Sequence, residues 1–110
     1  MPPRDVALHF LRSFAAGHVQ QLAPLVAEDM RVWGTLHEYD SGAGYLKALE
    51  KDPPEPSDLQ LISVTEDQNE VAVVYDYGKA QAKLRIAQLF RINAGLITEM
   101  YLVFDGRPGA

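Results

Sequence analysis

Two groups of residues carry side chains whose types and spacing could do chemistry. The first lies in the stretch QLFRINAGLITEMYLVFD, residues 88–105, where Gln88 and Thr98 alternate in phase with apolar neighbours. The second is the run HEYD, residues 37–40. An imidazole beside carboxylates can act as a general base near neutral pH. An amide or a hydroxyl on an apolar face can anchor a ligand, or it can be a hydrogen-bonded core group.

The candidate catalytic residues are therefore His37, Asp40 and Gln88. For the first two we favour a simpler interpretation, a solvated loop in which Asp40 or Ser41 caps the following helix. The histidines are dispersed, with no H-x-H or H-E-x-x-H spacing, and the chain contains no cysteine. The sequence consequently predicts no metal site and no cofactor.

The first half of the chain, which must position these groups, predicts helices. Apolar residues recur at helical spacing from Ala7 to Ala15, and Gly17 ends the first helix. A second helix is predicted over residues 19–28. A third follows Ser41 and buries Tyr45, Leu46 and Leu49.

The second half predicts strands. After a short strand at residues 30–33, β patterns cover residues 59–65, 71–77, 82–92 and 96–104. Short turns such as Asn93-Ala94-Gly95 separate them and favour antiparallel pairing. Helices followed by strands indicate an α+β domain, with a curved sheet wrapped around the first helix.

Composition narrows the classes of function. A chain of 110 residues predicts a single domain, residues 1–110. The net charge is −5 and the ten Lys and Arg residues are scattered, so we expect no nucleic-acid partner. No apolar run is long enough for a membrane span, and no signal peptide is evident. We therefore expect a cytoplasmic protein.

Three motifs carry a resemblance to a known family. They are FLRSFAAGHVQQLAPLVAEDMRVWG at residues 10–34, SGAGYLKAL at residues 41–49, and the hairpin at residues 88–105. In this order the chain resembles the nuclear transport factor 2-like superfamily and its SnoaL-like domains, relatives of ketosteroid isomerase and limonene epoxide hydrolase. The resemblance implies a cystatin-like cone: three N-terminal helices packed on a strongly curved, mainly antiparallel sheet.

The resemblance also implies positions for catalytic groups, and this sequence has other residue types there. Isomerase-like members need a tyrosine, a carboxylate base and a protonated acid. Their matching positions hold Phe10, Gly34 and Gln88. In hydrolase-like members an aspartate of the last strand matches Leu102. The other Asp and the Arg fall in the strand at residues 71–77, where Tyr75 and Tyr77 stand.

What remains is a mixed, mostly apolar pocket. Strand alternation and the resemblance together predict its lining as Phe10, Phe14, Trp33, Tyr75, Tyr77, Ile86, Gln88, Thr98, Met100 and Leu102. Such a composition is typical of a small-molecule site, and equally of a filled core with a few satisfied polar groups.

The opposite face of the sheet predicts an interface. It carries an apolar strip that no helix of the chain covers: Ala87, Leu89, Ile97, Tyr101 and Val103. Superfamily members often dimerise through this face, so the resemblance implies a homodimer.

The sequence thus predicts a protein that binds an apolar small molecule, with any catalysis undetermined. Two alternatives stay open. One is a non-catalytic dimeric accessory or interaction module with a filled interior. The other is an isomerase or hydrolase of ketosteroid-isomerase type, which would need a carboxylate that the pocket lacks.

Overall fold

Helix α1, Pro3–Ala15, begins at a proline and ends two residues before Gly17. The structure, a computed structural model, describes residues 1–105. Pro3 occupies the first turn, where its missing N–H is not needed, and Asp5 lies near the positive end of the helix dipole. Gly17 terminates the helix with φ +78°, and the His18 N–H donates to the Ser13 carbonyl over 2.9 Å.

One face of α1 is fully buried against the sheet. Val6, Ala7, Phe10 and Leu11 are all less than 5 % exposed. The helix contacts the four strands β3–β6, which are defined below. It therefore lies across the concave side of the sheet, as predicted.

Two consecutive 3₁₀ turns, Val19–Gln21 and Ala23–Leu25, form the second helical segment. The α-helix predicted over residues 19–28 is wrong in type and length. Pro24 offers no N–H to an α-helical ladder but fits the start of a short turn. Leu22 and Leu25 still bury their side chains, and the first strand begins directly afterwards at Val26.

Six strands form one mixed sheet in the order β2-β1-β6-β5-β4-β3. All neighbours are antiparallel except β1 and β6, which are parallel. The predicted α+β fold, with three helical segments against a mainly antiparallel sheet, is confirmed. The short strand β2 was not predicted. The strands are β1 Val26–Trp33, β2 Glu38–Tyr39, β3 Asp58–Asp67, β4 Glu70–Lys79, β5 Ala82–Asn93 and β6 Leu96–Phe104.

The predicted hairpin between β5 and β6 contains a bulge that the alternation pattern does not reveal. Ala94 and Gly95 both have positive φ and form the turn. Arg91 pairs with Glu99, but Ile92 pairs with Ile97, so Thr98 is an extra residue in β6. Ile97 is consequently 0 % exposed and lies in the core. Its predicted place on the outer strip is wrong.

Helix α2, Gly42–Lys51, docks on β1 through a glycine. Ser41 caps it as predicted, accepting a hydrogen bond from the Gly44 N–H over 3.0 Å. A Cβ on Gly42 would lie 2.2 Å from the Ala27 carbonyl oxygen, so only glycine permits this approach. The docking buries Tyr45, which is 8 % exposed. Within residues 1–105 no helix has the length and apolar character that crossing a membrane requires.

Gly42→Ala should destabilise the protein, because the new methyl group collides with backbone that cannot rotate away. We expect a loss of about 2 kcal/mol or more in the free energy of unfolding, measured by urea denaturation. Gly44→Ala is the matched control, since its Cβ meets only the Ser41 hydroxyl, at 3.1 Å. Helix propensity favours that substitution by about 1 kcal/mol. Equal stability of the two variants would contradict the role assigned to Gly42.

Candidate functional site

A cavity of about 200 Å³ lies between the helices and the concave face of the sheet. Helix α1 contributes one wall, and inward residues of β3–β6 contribute the other. Tyr45 of α2 closes one end. The lining residues are Phe10, Leu11, Phe14, Tyr45, Leu59, Tyr75, Tyr77, Leu84, Ile86, Gln88, Leu102 and Phe104.

Exposure increases from one end of the cavity to the other. The buried lining residues form its deep end: Phe10, Leu11, Tyr45, Tyr75, Ile86 and Gln88. The half-buried members lie toward solvent: Phe14, Leu59, Tyr77, Leu84, Leu102 and Phe104. A ligand would enter past these mostly apolar side chains, which include the Tyr77 hydroxyl, and meet Tyr45, Tyr75 and Gln88 at the deep end.

The main polar feature of the deep end is a hydrogen bond between neighbouring strands. The Tyr75 hydroxyl of β4 donates to Gln88 Oε1 of β5 over 2.6 Å. Gln88 Nε2 in turn lies 3.3 Å from the Met100 sulfur of β6. The amide therefore has a partner at each end and connects three strands on their inner face.

Tyr45 supplies a second hydroxyl whose surroundings are aromatic. Its ring lies 6.4 Å from that of Phe10 and 5.4 Å from that of Tyr39. Within the described chain its hydroxyl has no hydrogen-bond partner. Burial, followed by the nearby Tyr75, raises the pKa of Tyr45 far above its usual range. Burial likewise raises the pKa of Tyr75, with Tyr77 as the second cause. Both phenols are therefore neutral at physiological pH.

His37 and Asp40 lie outside the cavity. Both are exposed, and the Asp40 carboxylate lies 4.0 Å from the Arg31 guanidinium on the surface. The His37 ring lies 6.4 Å from that of Tyr39. Of the three catalytic candidates, the structure places only Gln88 in the cavity.

Seven of the ten predicted pocket residues line the cavity: Phe10, Phe14, Tyr75, Tyr77, Ile86, Gln88 and Leu102. Trp33 instead lies on the outer face, with its ring 4.6 Å from Tyr101 and nearly parallel at 7°. Thr98 is the bulged residue, and its hydroxyl donates to the Arg91 carbonyl. Met100 is fully buried in the core and reaches the site only through Gln88.

Five lining residues were absent from the predicted set: Leu11, Tyr45, Leu59, Leu84 and Phe104. Two of them could have been predicted from strand alternation. Leu84 lies two residues from Ile86 in β5, and Phe104 lies two residues from Leu102 in β6, so each faces the same side as its neighbour. Tyr45 was predicted to be buried under its helix. Its place beside the cavity depends on how α2 docks, which local periodicity does not encode.

The lining limits the chemistry that the cavity can support. Within the part of the chain that the structure describes, the polar side chains that line it are tyrosines and one glutamine, without carboxylate, imidazole or amine. Glutamine does not titrate, and the buried phenols stay protonated. Among residues 1–105 no cluster of three or more potential metal ligands occurs. Such a cavity can desolvate and hydrogen-bond an uncharged ligand, whereas a buried unpaired charge would cost several kcal/mol.

Comparison with known proteins agrees with this architecture. The family model of the SnoaL-like domain matches residues 7–100. A search of curated proteins gives no match. Among solved structures, an NTF2-like protein of unknown function from Cytophaga hutchinsonii is 20 % identical with a TM-score of 0.84, covering 98 % of this chain and 94 % of that one.

Two further solved structures show the same fold. An NTF-2 like protein of unknown function from Burkholderia xenovorans is 11 % identical, with a TM-score of 0.81 and coverage of 98 % of this chain and 86 % of that one. An LEH-like epoxide hydrolase from M. tuberculosis is 12 % identical, with a TM-score of 0.80 and coverage of 94 % and 82 % respectively. Identities at this level establish the fold alone.

Tyr75→Phe should cost about 1–3 kcal/mol in the free energy of unfolding, because it leaves Gln88 Oε1 buried without a donor. Tyr77→Phe is the matched control, since its half-buried hydroxyl makes no hydrogen bond within residues 1–105, and should change stability little. The double variant Tyr75→Phe/Gln88→Leu should lose less than the sum of the two single variants. Additive losses in urea denaturation would show that the two side chains are not coupled.

Proposed function

Because this chain belongs to the SnoaL-like domain family, we propose that it binds a small, uncharged and largely apolar molecule in the cavity. The observation that carries the proposal is the cavity itself, about 200 Å³ of space with a mostly apolar wall and a few polar groups, most of them at its deep end. Ligand sites are commonly apolar clefts in which a few placed polar groups fix orientation.

The cavity volume limits the size of the ligand. An engineered cavity of about 150 Å³ is enough to bind benzene, whereas drug-sized ligands occupy pockets of roughly 300–1,000 Å³. A cavity of about 200 Å³ therefore suits a single substituted ring or a short branched chain. Side chains at the half-buried mouth, such as Leu84 and Tyr77, could move to admit a longer tail.

Binding is better supported than proton-transfer catalysis. An isomerase of ketosteroid-isomerase type needs a carboxylate to move the proton. Among the described residues none of the cavity's lining side chains carries one. The accessory-module alternative assumed an interior filled by the protein's own side chains, and the cavity argues against that. A fully occupied interior in a crystal structure would restore it.

Toluene should bind to the protein with a Kd in the millimolar range or below, detected by shifts of side-chain methyl signals in NMR spectra. Benzoate has a similar shape but carries a charge, and should not bind because the cavity offers no cation. Leu84→Trp fills the mouth and should abolish binding. Leu36→Trp, at a site that is 68 % exposed and outside the lining, should leave it unchanged. Failure of toluene to shift any cavity methyl signal would refute the proposed function.

The outer face of the sheet supports the further proposal of a homodimer. Val103 is 63 % exposed and lies beside Leu89 and Tyr101, so an apolar strip faces solvent. Arg91 pairs with Glu70 at 3.2 Å and with Glu99 at 3.4 Å beside this strip. Charges of both signs around an apolar centre permit the self-complementary contact that a two-fold dimer requires.

Sedimentation at micromolar concentration should accordingly give the mass of a dimer. Val103→Glu places a charge at the centre of the strip and should yield monomers without lowering the free energy of unfolding of the monomer. Leu96→Glu, a similar change at the hairpin tip where the side chain is 37 % exposed, is the control and should leave the dimer intact. A wild-type monomer under these conditions would end the dimer proposal.

A further inference from the structure

The Met100 sulfur determines which way the Gln88 amide points. An amide has a donating NH₂ end and an accepting carbonyl end, whereas a thioether can only accept. Gln88 Nε2 lies 3.3 Å from that sulfur, so Oε1 is directed at Tyr75. The opposite orientation would bring two lone-pair-bearing atoms together in a buried site.

In this orientation the single hydroxyl proton of Tyr75 is already used in a hydrogen bond. That proton goes to Gln88 Oε1, over 2.6 Å. The Tyr75 oxygen therefore presents an accepting lone pair to the cavity. Since burial raises the pKa of this phenol, the group also keeps its proton and does not become a phenolate. The deep end of the cavity thus offers an acceptor at Tyr75, where an oxyanion hole would offer a donor.

Tyr45 of α2 supplies a second hydroxyl in the lining of the cavity. Its hydroxyl makes no hydrogen bond within residues 1–105 and is free to donate. Tyr45 and Tyr75 both line the cavity, one from α2 and the other from β4. A ligand hydroxyl can donate to Tyr75, and its oxygen can accept from a donor such as Tyr45. A ketone carbonyl can accept from Tyr45 but has nothing to donate to Tyr75.

From this geometry, and resting on the proposed function, we propose that the cavity selects a small alicyclic alcohol over the corresponding ketone. Met100 is the positioning residue of this selectivity. For the site to favour a ketone, the Gln88 amide must rotate so that Nε2 donates to Tyr75 and frees the phenol to donate. That rotation sets Oε1 against the Met100 sulfur, which opposes it.

The test compares cyclohexanol with cyclohexanone, which match in shape, by NMR titration of the wild-type protein. The alcohol should bind about tenfold more tightly, as expected for one additional hydrogen bond in a buried site. Met100→Leu conserves volume and lets the amide rotate, so the ratio of the two Kd values should fall to about two or less. The double variant Tyr75→Phe/Gln88→Leu, which removes both acceptors, should remove the preference as well. Tyr101→Phe, on the outer face, should keep it.

The inference is tested by the ratio of the Kd values for cyclohexanol and cyclohexanone, and not by either affinity alone. A variant that merely loosens the core would weaken the binding of both ligands to the same extent and leave the ratio of their Kd values unchanged. If toluene binds and the ketone binds as tightly as the alcohol, the selectivity inference is overturned while the proposed function stands. If toluene, alcohol and ketone all fail to bind, the proposed function falls and the inference with it. A tenfold ratio that survives in Met100→Leu would overturn the role of Met100.

Discussion

The Gln88 carboxamide is the group on which the inner face of this sheet depends. It is 5 % exposed among apolar neighbours, and a buried amide without partners would cost about 1–3 kcal/mol for each unsatisfied end. Its partners come from the adjacent strands, Tyr75 from β4 and Met100 from β6. A slip of one residue in either pairing would turn Gln88 or its partner to the other face. The hydrogen bonds of one side chain therefore favour the register of three strands.

The bulge at Thr98 lets β6 turn apolar side chains toward the core both before and after it. Before the bulge, Ile97 faces the core beside β1 and β5; after it, Met100 does so as well. Without the extra residue these two positions would point to opposite faces, because their spacing is odd. Because of the bulge, Ile97 at the hairpin end of β6 faces the core, and Leu102 further along the strand still faces the cavity. Its extra residue is polar, and the Thr98 hydroxyl donates to the Arg91 carbonyl.

The sequence predicted those features that arise from local patterns, and it missed those set by distant contacts. The bounds of β6 and the Ser41 cap follow from turn chemistry and from capping, and the structure has both. The alternation in β4 and β5 correctly brought Tyr75, Ile86 and Gln88 to one face. Side-chain alternation along β1 could have placed Trp33 correctly. Met30 and Val32 are buried on the inner face, so Trp33, which follows Val32, points to the outer face. The bulge and the docking of Tyr45 left no such signal, because each depends on the pairing of distant segments.

The polar groups at the deep end of the cavity keep their protons. Gln88 is an amide, whose charge is zero at every physiological pH. The two buried phenols keep their protons because burial raises each pKa. No group in this deep end can exchange a proton cheaply with a ligand, yet each has a fixed direction in which it donates or accepts. Directional hydrogen bonding in an apolar surrounding discriminates between uncharged molecules of equal shape, which hydrophobic contact alone does poorly. The neutral, oriented groups of this cavity are therefore consistent with the binding role proposed for it.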